Sequence, residues 1–212
     1  MRYLLIVLIL SFEVARGHGG GLIKTGSNAG CHAKKSDGSF HCHRKGKPKI
    51  TNAQDTLRYD RDAYGGWLDT DGDCQNSRAE ILIKRSLIDV SFKGKRTCVV
   101  KGGKWDDFYY DDVLTNASVI DIDHVVPLKH AHENGAKYWN QDKKKQFSND
   151  PENLVITHKS HNRSKSAKTP LLWSPINRSY ACKYIKRWIK IKHKYDLDID
   201  PNVFEYREEV CL

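Results

Sequence analysis

Residues 120–127 read Ile-Asp-Ile-Asp-His-Val-Val-Pro. A β-branched run that alternates with carboxylates fits a strand with one face in a core and the other carrying charge. Ile120 and Ile122 fall on one face, Asp121 and Asp123 on the other. Strict alternation sends His124 away from Asp123, so the two serve one site only if the strand bends or ends there. Val125-Val126-Pro127 permits this, because proline closes a central strand. Taken alone, residues 121–124 read better as an edge strand with solvated carboxylates and a surface histidine.

The downstream sequence changes that balance. Asn153 precedes a short apolar run, Leu154-Val155-Ile156-Thr157, and the polar segment 158–168 follows as a turn of helix. Asn162 and Lys165 are three apart and share a helix face, with His158 and His161 near it. Strand, strand and helix then carry polar residues at each joint. Phosphodiester hydrolysis needs these types: a neutral imidazole to activate water, oxygen ligands for a hard cation, and a cation against the phosphate charge.

The stretches DIDHVVPL and NLVITHKSHNRSK resemble HNH endonucleases of the ββα-metal class, and are similar to the HNH domain of RNA-guided CRISPR effectors. More of the chain resembles exported DUF1524-like proteins: YDRDAYGGWLDTDGDCQNSRAEIL, GKW, DIDHVVPLKHAHENGA, NDPENLVIT, HNRSKSAK and YIKRWIKIKHKYDL occur in order between residues 59 and 198. The resemblance implies an α+β fold with a ββα-metal nuclease core, surrounding helices and a β-hairpin. It implies His124 as general base, Asp123 and Asn162 as ligands of one Mg²⁺ or Mn²⁺, Asn153 orienting His124, and Lys165 touching phosphate. Arg78 and Arg163 are further substrate contacts, and Asp121 and His130 are candidate supports. Arg78 reads equally well as a structural ion-pair partner. The third HNH letter is often histidine; here it falls on Asn162, with His161 the adjacent alternative, which would favour a softer metal.

The N-terminus bounds the compartment. Arg2, an apolar run to Phe12 and Ala15-Arg16-Gly17 read as an export signal, residues 1–17, too short to span a bilayer. A Cys/His-rich extension and linker, 18–54, and a nuclease domain, 55–212, follow. The expectation is a secreted protein, extracellular or periplasmic, with no membrane attachment after cleavage. Six cysteines then read as disulfides. Fifteen pairings exist; proximity favours Cys31–Cys42, Cys74–Cys98 and Cys182–Cys211. Cys31–His43 also offers His32, His41 and His43 for zinc, ranked behind the disulfide.

A net charge of +10 favours a polyanionic partner. DNA is expected, with RNA an alternative, at little sequence specificity because no separate reader domain is visible. Basic runs, Lys143–Lys145 among them, fit backbone tracking or a solvated face. Trp173 and Tyr180 fit base stacking less well than a core. Residues 69–80 imitate a calcium loop, but Gly72 sits at its fourth position and not its sixth, so calcium is set aside. Residues 78–88, 129–150 (broken at Asn134-Gly135) and 180–195 read as helices, and 97–113 as a hairpin turning at Lys101-Gly-Gly-Lys104. Sequons stand at Asn116, Asn162 and Asn177, and a glycan on Asn162 would block the expected metal site. The sequence thus reads as an exported metal-dependent endonuclease, for which the family resemblance implies 5′-phosphate ends. The alternatives are a non-catalytic nucleic-acid or cell-surface binder on an HNH scaffold, and a hydrolase of another polyanion.

Overall fold

The computed structural model describes residues 57–212 and the backbone of two short strands, β1 (Cys31–Ala33) and β2 (Phe40–Cys42). The chain divides into two compact units, Met1–Asn52 and Ala53–Leu212. In the first, β1 and β2 pair antiparallel with Cys31 opposite Cys42. The signal segment, the linker and the side chains of the Cys/His patch lie outside the described residues.

The second unit is mixed α and β. Helix α1 (Ser77–Lys84) starts where the Asn76 side chain accepts from the Ala79 amide, satisfying a donor that has no partner within the helix. Strands β3 (Ser91–Phe92), β4 (Val100–Asp107) and β5 (Asp112–Asn116) form a three-stranded antiparallel sheet. The hairpin turn lies at Phe108–Asp111, later than the sequence reading placed it, and Gly102-Gly103 sit inside β4. Two contacts explain the shift. Trp105 folds back so closely that a Cβ on Gly103 would stand 2.6 Å from its ring. Asp107 closes the later turn, its carboxylate accepting from Tyr109 N and its carbonyl from Asp111 N.

Strands β6 (Ile120–His124) and β7 (Leu154–His158) form a separate antiparallel pair, with Asp121 opposite Thr157 and Asp123 opposite Val155. Helix α4 (Lys159–Lys165) follows β7 directly and packs on both strands. Helices α2 (Leu128–Glu133) and α3 (Gln141–Asn149) are separated at Asn134-Gly135 as expected, Gly135 taking a φ of 123° that other residues rarely adopt. Helix α5 (Arg178–Lys194) buries Ala181, Tyr184, Ile185, Trp188, Ile189 and Ile191, the face its sequence period marks. Helix α6 (Asn202–Cys211) closes the chain. Cys74–Cys98 and Cys182–Cys211 are both disulfides, as proximity suggested.

Two apolar clusters flank the β6–β7 pair. Ile120, Ile122, Leu154 and Ile156 join α1 and Trp105 on one side. Val125, Val126 and Val155 join Tyr109, Tyr184 and Trp188 on the other. The face between β6 and α4 is where the charged side chains converge.

Candidate active site

Strand β6 ends through Asn153. Its carbonyl accepts from Val125 N at 2.7 Å, its side-chain oxygen from Val126 N at 2.9 Å, and its side-chain amide donates to the Val126 carbonyl at 3.3 Å. One buried side chain therefore satisfies both polar backbone groups of Val126 and turns the chain into Pro127. This is the strand end that lets Asp123 and His124 line one cavity, which Asn162 also lines. Asn153 thus meets the backbone beyond His124 and not the imidazole. Arg85 and Arg187 in turn donate to carbonyls of the 151–154 turn that presents Asn153.

His124 is held on two sides. Its Nε2 lies 2.8 Å from the Ser148 carbonyl. A carbonyl only accepts, so Nε2 carries the proton and Nδ1 keeps its lone pair. The Trp67 indole stacks parallel on the ring, centroids 5.8 Å apart at 2°. Burial, first of all, lowers the His124 pKa to about 4; the Ser148 bond opposes the shift, and Arg61 and Lys165 add to it. The imidazole is neutral at pH 7, the form a general base needs.

Asp123 and Lys165 form a buried pair. Lys165 Nζ stands 2.9 and 3.2 Å from the two carboxylate oxygens and donates to the His124 carbonyl at 2.8 Å. Tyr109 donates its hydroxyl to Asp123 at 2.8 Å. Burial lifts the Asp123 carboxyl above the usual carboxylate range, against the pull of Lys165 and Tyr109. Lys165 itself has no exposure. The expected phosphate contact from Lys165 therefore needs correction: the ammonium sits behind Asp123, anchoring that carboxylate and the end of β6.

Asn162, three residues before Lys165 on the same face of α4, donates its amide to Asp121 at 3.1 Å. That bond spends the donor end and leaves Oδ1 as an acceptor. His161 points elsewhere: its Nδ1 is 2.7 Å from the fully buried Asp107, and Tyr110 stacks on its ring. Asp107 also accepts from Thr157 and from His158 N. His130 belongs to another buried pair, its Nε2 3.1 Å from Lys192 Nζ. Arg78 donates Nη2 to the Ala117 and Ile120 carbonyls, which fixes the entry of β6. Arg163 is exposed on α4. Sequence reasoning did not single out Trp67, Tyr109, Asp107, Ser148 or Arg61. Tyr109 sits in an aromatic cluster that read as hairpin packing, and Ser148 acts through its backbone, which no side-chain pattern marks.

Asp69, Asp71 and Asp73 bring carboxylate oxygens within 4.8 Å of one another on the surface. Loop amides of Gly72, Cys74 and Gln75 donate to Asp69 and Asp73.

A histidine, a carboxylate and an amide thus line one cavity between two strands and a helix. Residues 75–201 match the family of GmrSD restriction endonucleases, C-terminal domain, and the chain belongs to that family. It is also 36% identical over 143 residues to a protein of Arthroderma benhamiae named "Uncharacterized secreted protein", covering 66% of this chain and 68% of that one. No solved structure matches. No helix among the described residues is long and apolar enough to cross a membrane.

Proposed function

We propose that this chain is an exported, metal-dependent HNH endonuclease that hydrolyses DNA phosphodiester bonds with little sequence preference, and that β6, β7 and α4 are its ββα-metal core. The observation that carries the reading is the single cavity shared by Asp123, His124 and Asn162, with the His124 proton already fixed on Nε2. The family and the Arthroderma relative's name, together with two disulfides, support a nuclease that works outside the cell. The proposed division is signal 1–17, extension 18–54 and nuclease domain 55–212.

The donor set fits a hard divalent cation. Asn162 has its amide nitrogen committed to Asp121, so its oxygen is the free end. Asp123 lines the same cavity, about 220 Å³, and with Lys165 and Tyr109 on its oxygens its Oδ1 still has a lone pair to offer. Two oxygen ligands plus several waters suit Mg²⁺ or Mn²⁺. When bound by Asp123 and Asn162, such an ion supplies Lewis-acid stabilisation of the phosphorane charge and of the leaving oxygen.

The protein's own groups do the rest. His124 Nδ1 takes a proton from a water, whose oxygen attacks phosphorus in line. The bond from phosphorus to the 3′ oxygen breaks, that oxygen takes a proton from solvent, and a 5′ phosphate remains. Trp67 and Ser148 hold the imidazole plane and tautomer. Lys165 and Tyr109 favour the ionised form of Asp123 against its burial and hold it in place. Asn153 fixes the strand end that brings His124 beside Asp123. Arg163, exposed on α4, would meet the substrate backbone.

Plasmid nicking by the disulfide-bonded protein in Mg²⁺, Mn²⁺ or EDTA, beside His124→Ala, tests this. Metal-dependent nicking lost in the variant is the expected result. A folded wild type that binds DNA but never cleaves it would refute the enzyme and favour the binding protein.

A further inference from the structure

Beside the cavity of Asp123, His124 and Asn162 lies a larger one, about 480 Å³. Arg61, Ile122 and Asn162 line both. Arg61 also lines a third cavity with Trp67 and His124, so one guanidinium stands at the junction of all three. The larger groove adds Arg78 and Lys93 to Arg61. These cations come from three separate segments: the turn before α1, α1 itself, and the loop after β3. A solvated basic face built from one sequence run has no need to converge in this way. The one acidic residue along the groove is Asp121, already engaged by Asn162. Arg78 is pinned by the Ala117 and Ile120 carbonyls, and its five N–H donors exceed those two acceptors. Arg61 and Lys93 are exposed, and Arg61, which also bonds the Tyr59 side chain, has five N–H donors and so keeps some for a ligand.

We propose that this groove binds the sugar-phosphate strand flanking the scissile bond, with Arg61 as the clamp that spans cleavage site and groove, and Arg78 and Lys93 meeting the adjacent phosphate. The assignment rests on the nuclease reading and names where its substrate runs. It also assigns Arg61 a role that its sequence context did not reveal. Apolar Trp67 and Val99 on the same wall suit the sugar and base edges.

The test uses the full disulfide-bonded protein, the double variant Arg61→Gln/Lys93→Gln, and a charge-matched control, Lys183→Gln/Lys186→Gln, on the outer face of α5. Binding of a fluorescein-labelled DNA oligonucleotide is measured in EDTA across a salt series. Each lost phosphate contact lowers the slope of log K against log salt by about 0.9. The groove variant is expected to lose one to two such contacts and roughly tenfold in affinity at low salt, while the control keeps the wild-type slope. In Mg²⁺, kcat/KM on the oligonucleotide should fall about tenfold further than on bis(p-nitrophenyl) phosphate, which has no flanking phosphate to lose. A slope equal to the control's, or equal losses on both substrates, overturns the groove. Absence of DNA binding by the wild type overturns it as well. If the wild type binds but cleaves neither substrate, the nuclease reading fails and the salt slope alone decides the groove. Melting curves by circular dichroism confirm that the variants remain folded.

Discussion

Lys165 and Lys192 are both fully buried, yet their surroundings differ in kind. Lys165 meets a carboxylate and a backbone carbonyl at the end of β6. Lys192 meets the uncharged ring of His130, with Asp198 supplying only a distant field, and burial pulls its pKa down to about 8. The first lysine is an ion-pair partner that holds a carboxylate and a strand end in place. The second is a hydrogen-bond donor inside an apolar cluster. Burial by itself therefore says little about role; the charge of the partner decides.

The largest expected effect comes from breaking the first pair. Lys165→Met leaves Asp123 buried without its counter-charge and should cost about 3–5 kcal/mol in chemical denaturation, with nicking abolished. Adding Asp123→Leu should return most of the stability and none of the activity, because an apolar pair of similar volume replaces a buried ion pair at little cost.

Next in size is a pH effect at the second pair. Burial, then Lys192 and Lys165, lower the His130 pKa to about 4 from its ordinary 6.5. The unfolded chain thus binds a proton that the folded chain refuses. Stability from this residue is intact above pH 6.5 and falls as pH drops toward 4, by up to about 3 kcal/mol. His130→Gln should flatten this part of the stability profile measured by thermal melting at stepped pH.

Smaller again, Asp121→Ala removes the acceptor and frees the Asn162 amide to rotate. Nicking is expected to fall about tenfold with melting temperature nearly unchanged, since groups that orient metal ligands typically contribute 10–100-fold. The smallest effect is Lys192→Met, expected within about 1 kcal/mol because the desolvation relieved offsets the hydrogen bond lost. A loss as large as that of Lys165→Met would erase the distinction between the two lysines.

Much of this site was legible as a pattern of residue types. The alternation at 120–123, the proline at 127 and the three-residue spacing of Asn162 and Lys165 placed strand, strand end and helix face correctly. So did the α5 period and the break at Gly135. What the sequence hid was depth and direction. Nothing in Asn-Arg-Ser-Lys tells that Lys165 faces inward behind Asp123, because a helix face is known only relative to its neighbour. Asn153 was expected to orient His124, but its side chain meets a backbone two residues past that histidine. The hairpin turn moved because the Trp105 ring occupies the space above Gly103, a contact that local turn preference does not encode.

The Cys74–Cys98 bridge, spanning 24 residues, ties the loop before α1 to the loop that carries Lys93. Closing a ring of that length removes about 3 kcal/mol of chain freedom. The wall of the cationic groove is thereby held in oxidising surroundings and released in reducing ones, while the hydrogen bonds around His124 contain no sulfur and persist. On the proposed reading, reduction of this bridge would loosen the seat for substrate and leave the groups around His124 in place. Brief thiol treatment should therefore weaken oligonucleotide affinity before it disturbs the core.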